Sequence, residues 1–153
     1  MKILLITGTS GFLGSKIAKS YQNRYQILSP SHREMDITNE ISVQHYFFKN
    51  KPDIVIHCAA ISDTGTCQRD PELSYRVNVI GSQNITKAAK LTSSVCILCS
   101  SDQVYCGSEK EFPNAEDDVL SPYNTYGKDK INRFGIFFSS TEDALIKNLQ
   151  KII

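Results

Sequence analysis

Short apolar runs alternate along the chain with longer stretches in which apolar residues recur at helical spacing. The apolar runs have the length of β-strands and fall at residues 2–7, 25–29, 54–58 and 95–100. The stretches of helical period predict helices at about 11–21, 40–49, 71–91 and 123–133. Buried strands that alternate with helices are typical of parallel sheets with helices on both faces. The pattern therefore predicts an α/β fold.

Two regions depart from this alternation. Residues 102–121 show neither period and predict a long loop, which in compact domains is usually functional or disordered. Residues 134–153 return to a helical pattern from about residue 141, after an aromatic-rich stretch that fits no strand or helix well. We therefore expect a domain over residues 1–133 and an atypical tail over 134–153.

The composition is that of an ordinary globular protein. Of the 153 residues, 41% are apolar and 22% are charged, and the net charge is +1. The chain has neither an apolar run of membrane-spanning length nor a basic stripe, so we expect neither membrane insertion nor nucleic-acid binding. The five cysteines are irregularly spaced, which favours buried thiols in a reducing cytoplasm over a disulfide framework. Cys96 and Cys99 lie three apart on a predicted strand and point to opposite faces, so we expect no metal site there.

A glycine-rich loop follows the first predicted strand. Gly8, Gly11 and Gly14 lie where that strand turns into the first helix. Glycine permits a tight turn and lets backbone N–H groups approach a pyrophosphate, while the helix N-terminus favours the bound anion. The position and spacing of these glycines predict a dinucleotide-binding loop over residues 8–14.

The segment after the second predicted strand indicates which nicotinamide cofactor is preferred. Enzymes that use NAD place a carboxylate there to bind the adenine ribose 2′-hydroxyl. Here residues 29–33 contain no carboxylate, and Arg33 precedes the first one, Glu34. A hydroxyl followed by an arginine suits a 2′-phosphate. We therefore expect NADP(H), with NAD(H) as the alternative.

A tyrosine and a lysine four residues apart, Tyr126 and Lys130, lie in the last predicted helix of the domain. That spacing puts both side chains on one helix face. A nearby ammonium favours the phenolate and lowers the tyrosine pKa, which suits a general acid. Ser101, at the end of the fourth predicted strand, could hold a substrate carbonyl within hydrogen-bonding reach of Tyr126. The alternative is an exposed tyrosine beside a solvated lysine.

Together these motifs resemble the extended short-chain dehydrogenases, and within them most closely the dTDP-4-dehydrorhamnose reductase group. The resemblance runs from Met1 to about Ile131. The residues that carry it are the glycine loop, His57-Cys58-Ala59-Ala60, Asn78, Ser100-Ser101-Asp102-Gln103-Val104-Tyr105 and the stretch from Pro122 to Lys130. It implies a Rossmann-type sheet and the reduction of a 4-keto nucleotide sugar by a reduced nicotinamide cofactor.

The resemblance also implies roles for individual residues. Ser101 would orient the keto oxygen, Tyr126 would protonate it, and Lys130 would bind the nicotinamide ribose. The implied cofactor-binding positions are Gly8, Ser10, Gly11, Phe12, Leu13, Gly14, Arg33, Asp36, Ile37, Cys58, Ala59, Ala60, Asn78, Ser100, Tyr126 and Lys130.

Several alternatives remain beside this interpretation. A dehydratase is disfavoured, because the family's dehydratases carry a Glu where this chain has Gln103, whereas a 4-epimerase stays open as the alternative enzyme. The family continues into a sugar-binding region that residues 134–153 do not resemble, so we expect a truncated fold with limited activity. A non-catalytic NADP-binding or regulatory module is therefore the second hypothesis. A homodimer through the helices at 71–91 and 123–133 is the expected assembly.

Overall fold

The computed structural model describes residues 1–105, 114–115 and 117–132. In chain order the elements are β1 (Ile3–Thr7), α1 (Phe12–Tyr21), β2 (Gln26–Leu28), α2 (Glu40–Asn50), β3 (Ile54–His57), α3 (Thr64–Arg69), α4 (Pro71–Tyr75), a π-helical segment (Arg76–Ile80), α5 (Gly81–Leu91), β4 (Val95–Leu98), a 3₁₀ turn (Asp102–Val104) and α6 (Thr125–Asn132). The tail over 134–153, with its predicted helix, lies outside the described residues, as does much of the predicted loop.

The four strands form one parallel sheet in the order β2-β1-β3-β4. Leu5 of β1 lies opposite Leu28 on one side and Val55 on the other. The connection from β1 to β2 therefore runs towards one edge of the sheet, and the connections from β2 to β3 and from β3 to β4 run towards the other. Because parallel crossovers are right-handed, α1 and α2 lie on opposite faces of the sheet. The predicted α/β fold with a Rossmann-type sheet is confirmed.

The main core lies between the sheet and helices α2 and α5. Its fully or nearly fully buried members are Leu5, Met35, Val43, Phe47, Val55, Ile85, Ala88 and Ala89, and Cys96 packs against them. Burial of a Leu, Ile, Val or Phe side chain contributes roughly 1.5–3 kcal/mol as an upper estimate. This packing fixes the carboxyl ends of β1, β3 and β4 relative to one another. At such a reversal of strand order, ligands of α/β sheets bind beyond those ends.

Two local predictions about the helices were incomplete. The helix predicted over 71–91 is interrupted by the π-helical segment, in which the Gly81 N–H donates to the Arg76 carbonyl. Helix α3 was missed because its six residues are too few to show an apolar period; Asp63 begins it by accepting a hydrogen bond from the Thr66 N–H. The stretch Asp36-Ile37-Thr38-Asn39 before α2 is typical of a turn and a helix cap, and the Asn39 side chain does accept from the Ser42 N–H.

Element ends also differ from the sequence prediction. Strand β4 ends at Leu98, two residues earlier than predicted, and α6 begins at Thr125 instead of residue 123. In the described part of the chain, no helix combines the length and apolar character that crossing a membrane requires.

Candidate functional site

The glycine loop, residues 8–14, is shaped by its backbone. Gly8 has a φ of 72°, in the left-handed region, and a Cβ there would lie 2.7 Å from the Ala59 nitrogen. A Cβ on Gly14 would overlap the Gly8 carbonyl oxygen. The turn therefore closes tightly on itself and on the backbone that follows β3, as the spacing of the glycines predicted.

The N-terminus of α1 opens from this loop. Gly11 is the N-cap, and no side chain caps the helix. Ser10, Phe12 and Leu13 are exposed, Phe12 with 82% of its surface accessible. A ten-residue helix with uncapped N–H groups and a positive dipole end is suited to an anionic pyrophosphate. These residues fit a dinucleotide, since the N-terminus of α1 is left without a side-chain cap beside exposed residues.

A buried series of hydrogen bonds connects the end of β1, next to the glycine loop, with β3 and α5. The Thr7 Oγ1 lies 2.7 Å from His57 Nδ1 and accepts a hydrogen bond from the Ala59 N–H. His57 Nε2 lies 3.1 Å from Ser82 Oγ, which itself donates to the Asn78 carbonyl. A neutral imidazole with its proton on Nε2 satisfies all of these partners at once. Sequence reasoning noted His57 only as part of a motif and did not find this role.

The segment after β2, which is predicted to determine the preference for NADP or NAD, contains an unexpected contact between Ser31 and the Glu34 carboxylate. The Ser31 N–H and hydroxyl both donate to Glu34 Oε2, each at 2.8 Å, and these bonds lower the pKa of Glu34. The Ser31 hydroxyl is thus already engaged, whereas Arg33 is exposed. Asp36 accepts hydrogen bonds from Thr38 within its own turn.

Ile37, the next predicted cofactor contact, is partly buried and packs against the core. A Cβ on Gly81 would lie 2.9 Å from the Ile37 Cδ1, so α5 lies close against this side chain. The Ile37 carbonyl accepts from the Asn84 side chain at 2.9 Å. The structure therefore shows a packing role for Ile37, and its contact with the cofactor stays a prediction.

Tyr126 and Lys130 lie together on the buried face of α6. Their exposed fractions are 8% and 4%, and the Lys130 Nζ lies 5.2 Å from the centre of the Tyr126 ring. The same Nζ donates to the Cys99 carbonyl at 3.3 Å. The predicted shared face is confirmed, and the alternative of an exposed tyrosine with a solvated lysine is wrong.

Ser101, the third predicted catalytic residue, begins the 3₁₀ turn after β4. Its hydroxyl donates to Asp102 Oδ1 at 3.1 Å and accepts from the Gln103 N–H at 3.2 Å. Its approach to the Tyr126 hydroxyl stays a prediction. Neighbouring Ser100 is exposed, and the Gln103 side chain accepts a hydrogen bond from Asn124.

A buried polar cluster of Ser74, Asn78 and Asp129 joins α6 to the rest of the domain. The Asn78 amide accepts from the Ile61 N–H at 2.8 Å and donates to the Ile61 carbonyl at 3.0 Å and to Ser74 Oγ at 3.2 Å. The Ser74 hydroxyl donates to Asp129 Oδ2 at 2.5 Å. Burial raises the pKa of Asp129, although these hydrogen bonds and the nearby Lys130 oppose the rise.

The polar cluster was not predicted apart from Asn78. Ser74 and Asp129 are 55 residues apart, so no local pattern connects them. The one available signal was that Asp129 falls on the same helix face as Tyr126, where a carboxylate needs a partner. Asn78 holds the loop after β3 through its two hydrogen bonds to Ile61, whereas its predicted cofactor contact stays a prediction.

The cysteines are less buried than expected. Cys67 is buried, but Cys58, Cys96 and Cys99 are only partly so. The Sγ atoms of Cys58 and Cys99 lie 3.5 Å apart at the carboxyl ends of β3 and β4. Within residues 1–105, 114–115 and 117–132, no three His, Cys, Asp or Glu side chains converge as a metal site would require.

Comparison with known proteins places this geometry in a family. The chain is 31% identical over 150 residues to methionine adenosyltransferase 2 subunit beta of Xenopus laevis, covering 93% of this chain and 44% of that protein. A dTDP-4-dehydrorhamnose reductase structure from Clostridium acetobutylicum superposes with a TM-score of 0.82 at 33% identity, over 86% of this chain and 47% of that one. The Bacillus anthracis dTDP-4-dehydrorhamnose reductase in complex with NADP gives 0.80 at 31% identity, over 87% and 48%.

The chain spans about half the length of these relatives. The family model described as the RmlD substrate binding domain matches residues 1–146. Because that match covers almost the whole sequence, this chain belongs to the RmlD substrate binding domain family.

Proposed function

We propose that residues 1–133 form the NADP(H)-binding domain of a reductase that acts on a 4-keto nucleotide sugar. One observation carries the proposal: the glycine loop and the Tyr126–Lys130 pair meet at the same edge of the sheet. Gly8 packs against Ala59, directly after Cys58, while Cys58 contacts Cys99 and Lys130 binds the Cys99 carbonyl. A dinucleotide on the loop would thus extend towards Tyr126.

The residues at this edge divide the proposed work between them. The uncapped N–H groups of α1 would bind the pyrophosphate, and Lys130 would hold the nicotinamide ribose. When bound, the reduced cofactor supplies the hydride. Tyr126 would give a proton to the keto oxygen, and the ammonium beside its ring favours the phenolate left behind. Ser101 would hold the same oxygen once its hydroxyl leaves Asp102.

The relatives support a nicotinamide cofactor with a 2′-phosphate, since the Bacillus anthracis structure is a complex with NADP. On this chain the exposed Arg33 is the group that would bind that phosphate. Glu34 would repel it unless the carboxylate stays turned towards Ser31, as its two hydrogen bonds favour.

Titration of the chain with NADPH and NADH, followed by cofactor fluorescence, tests the proposal. We expect saturable binding of both, with NADPH tighter. Arg33→Ala should weaken NADPH by roughly tenfold and leave NADH unchanged, because a charged hydrogen bond contributes about 1.5–3 kcal/mol. Arg24→Ala, which removes another exposed arginine, is the matched control. Absence of saturable binding of either cofactor would end the proposal.

A non-catalytic module is the second candidate, and the 31% identity to methionine adenosyltransferase 2 subunit beta favours it. That relative is named as a subunit of an enzyme, so a chain similar to this one acts within an assembly. Turnover of a 4-keto nucleotide sugar by the chain would exclude this candidate. A 4-epimerase would convert substrate without net consumption of NADPH, so measuring both products separates the two enzymatic alternatives.

We also propose a homodimer through the helices at 71–91 and 123–133, in a cytoplasmic protein. Sedimentation at several concentrations tests the assembly. Replacement of Tyr75, which is exposed on α4, by Asp should shift the equilibrium towards monomer. The sedimentation coefficient of a monomer at every concentration would contradict this dimer.

A further inference from the structure

The thiols of Cys58 and Cys99 face each other across two neighbouring strands. The register pairs His57 with Leu98, so the next residues, Cys58 and Cys99, are directly opposite. The Cys99 N–H donates to the His57 carbonyl at 3.3 Å, which shows that strand pairing continues to this point. Neighbouring strands lie about 4.8 Å apart, within the Cα separation of about 4.4–6.8 Å that disulfides span. Closing the Sγ–Sγ distance of 3.5 Å to a bond therefore needs little movement.

The surroundings of the pair suit thiol chemistry. Both side chains are partly exposed, so a small reagent can reach them. The hydrogen bond between the two thiols and burial raise the pKa of Cys58, while the Lys130 ammonium acts in the opposite direction. Cys67 differs, because it is buried and its thiol donates to the Ile61 carbonyl.

We propose that Cys58 and Cys99 form a reversible intramolecular disulfide, a modification site at the edge of the sheet where the cofactor would bind. The oxidant is a low-molecular-weight disulfide such as oxidised glutathione. The thiolate of one cysteine attacks one of its sulfurs, forms a mixed disulfide and releases one glutathione thiolate. The other cysteine then loses its proton and its sulfur attacks the protein sulfur of the mixed disulfide, which releases the second glutathione. The protein loses two electrons and two protons, and two glutathione thiols are produced.

The bond would act on both halves of the candidate site. Cys58 precedes Ala59, which packs against Gly8, and Cys99 provides the carbonyl that holds Lys130. Shortening 3.5 Å to about 2.05 Å moves both attachments. Oxidation therefore lowers cofactor affinity, and bound cofactor disfavours the disulfide at equilibrium by the same linkage. This consequence rests on the proposed function, whereas formation of the disulfide does not.

Incubation with oxidised glutathione, followed by intact-mass measurement and peptide mapping, tests the proposal. We expect a product lighter by two hydrogen atoms in which Cys58 and Cys99 are linked. Cys58→Ser or Cys99→Ser should eliminate this product and leave a glutathione adduct on the remaining thiol. Cys67→Ser, Cys96→Ser and Cys106→Ser are the matched controls and should retain it. If a serine variant fails to fold, the alanine variant at the same position, Cys58→Ala or Cys99→Ala, replaces it.

A linkage through any other cysteine, or a stable glutathione adduct on the unmodified chain, would overturn the proposal. NADPH titration of the reduced and the oxidised chain gives an independent measurement, and we expect at least about tenfold weaker binding after oxidation. Equal affinities would remove the proposed effect on the cofactor. If the reduced chain binds no NADPH, the proposed function fails, but the disulfide is still judged by mass alone.

Discussion

The glycine loop and the buried polar cluster lie near the same edge of the sheet but are built by opposite means. The loop depends on the absence of side chains, because a Cβ at Gly8 or Gly14 would overlap backbone atoms. The cluster depends on side chains, since Ser74, Asn78 and Asp129 bind each other away from water. The loop should therefore fail when any side chain is added, and the cluster when a polar atom is removed. The comparison predicts different substitution profiles for the two regions.

Gly8→Ala should have the largest effect. A left-handed φ costs a non-glycine residue about 1–2 kcal/mol, and the new Cβ also meets the Ala59 backbone. We expect the free energy of unfolding to fall by about 3 kcal/mol and saturable NADPH binding to be lost. Chemical denaturation and cofactor fluorescence measure the two effects.

Gly65→Ala is the matched control for this change. A Cβ at Gly65 would meet only side-chain atoms of Arg69 and Asp63, at 3.3 and 3.5 Å, and these can move. Alanine within a helix is favoured over glycine by about 0.5–1 kcal/mol, so we expect equal or slightly greater stability. Equal losses for Gly8→Ala and Gly65→Ala would contradict the backbone argument.

Asp129→Ala should have the next largest effect, because it leaves the buried Ser74 hydroxyl without its acceptor. An unsatisfied buried donor costs about 1–3 kcal/mol. Lys128→Ala, an exposed change on the same helix, should remain within about 0.5 kcal/mol of the unmodified chain. Denaturant midpoints measure both, and equal midpoints would show that the cluster does not hold α6.

Thr7→Val tests the connection between the two regions. The substitution keeps the shape of the side chain but removes the hydroxyl that serves His57 and Ala59. We expect a loss of about 1–2 kcal/mol. Thr125→Val removes an exposed hydrogen bond to Gln68 and should cost less than about 0.5 kcal/mol. Equal losses in the free energy of unfolding for the two variants would show that burial does not strengthen the hydrogen bonds of Thr7.

Asp129→Asn should have the smallest effect at low pH, since both side chains are then neutral and the amide oxygen still accepts from Ser74. Burial raises the folded-state pKa of Asp129 above its unfolded value. The stability that the protonated acid contributes is complete below the unfolded pKa, about 3.9, and is lost as pH rises through the folded one. The unmodified chain should therefore lose stability relative to the variant as pH rises above about 4. Parallel pH profiles in denaturation would contradict this.

Features encoded within a few residues were predictable from the sequence. The glycine loop, the Asn39 cap and the shared face of Tyr126 and Lys130 each depend on local spacing, and the structure contains all three. The parallel sheet followed from four apolar runs of strand length separated by helices. Such features need no knowledge of distant contacts.

Other features depend on pairs that the fold alone brings together. Cys58 and Cys99 are separated by 41 residues, and Ser74 and Asp129 by 55. The apolar residues of the stretch 71–91 recur at the spacing of a continuous helix. Their periodicity therefore could not reveal the π-helical segment over Arg76–Ile80. Ser101 looked like a free hydroxyl in the sequence, because its contact with Asp102 depends on the 3₁₀ turn.

The Asn78 side chain imitates a peptide group. Its amide engages both the N–H and the carbonyl of Ile61, as a residue on an adjacent strand would. The two backbone groups of Ile61, in the loop after β3, are thereby hydrogen-bonded by a helix side chain in the way a neighbouring strand would bond them. Aspartate could not donate to the carbonyl, leucine could do neither, and glutamine would carry the same amide one carbon too far. This position therefore accepts a single side chain of the twenty, for reasons of geometry that would hold even if the chain never met a substrate.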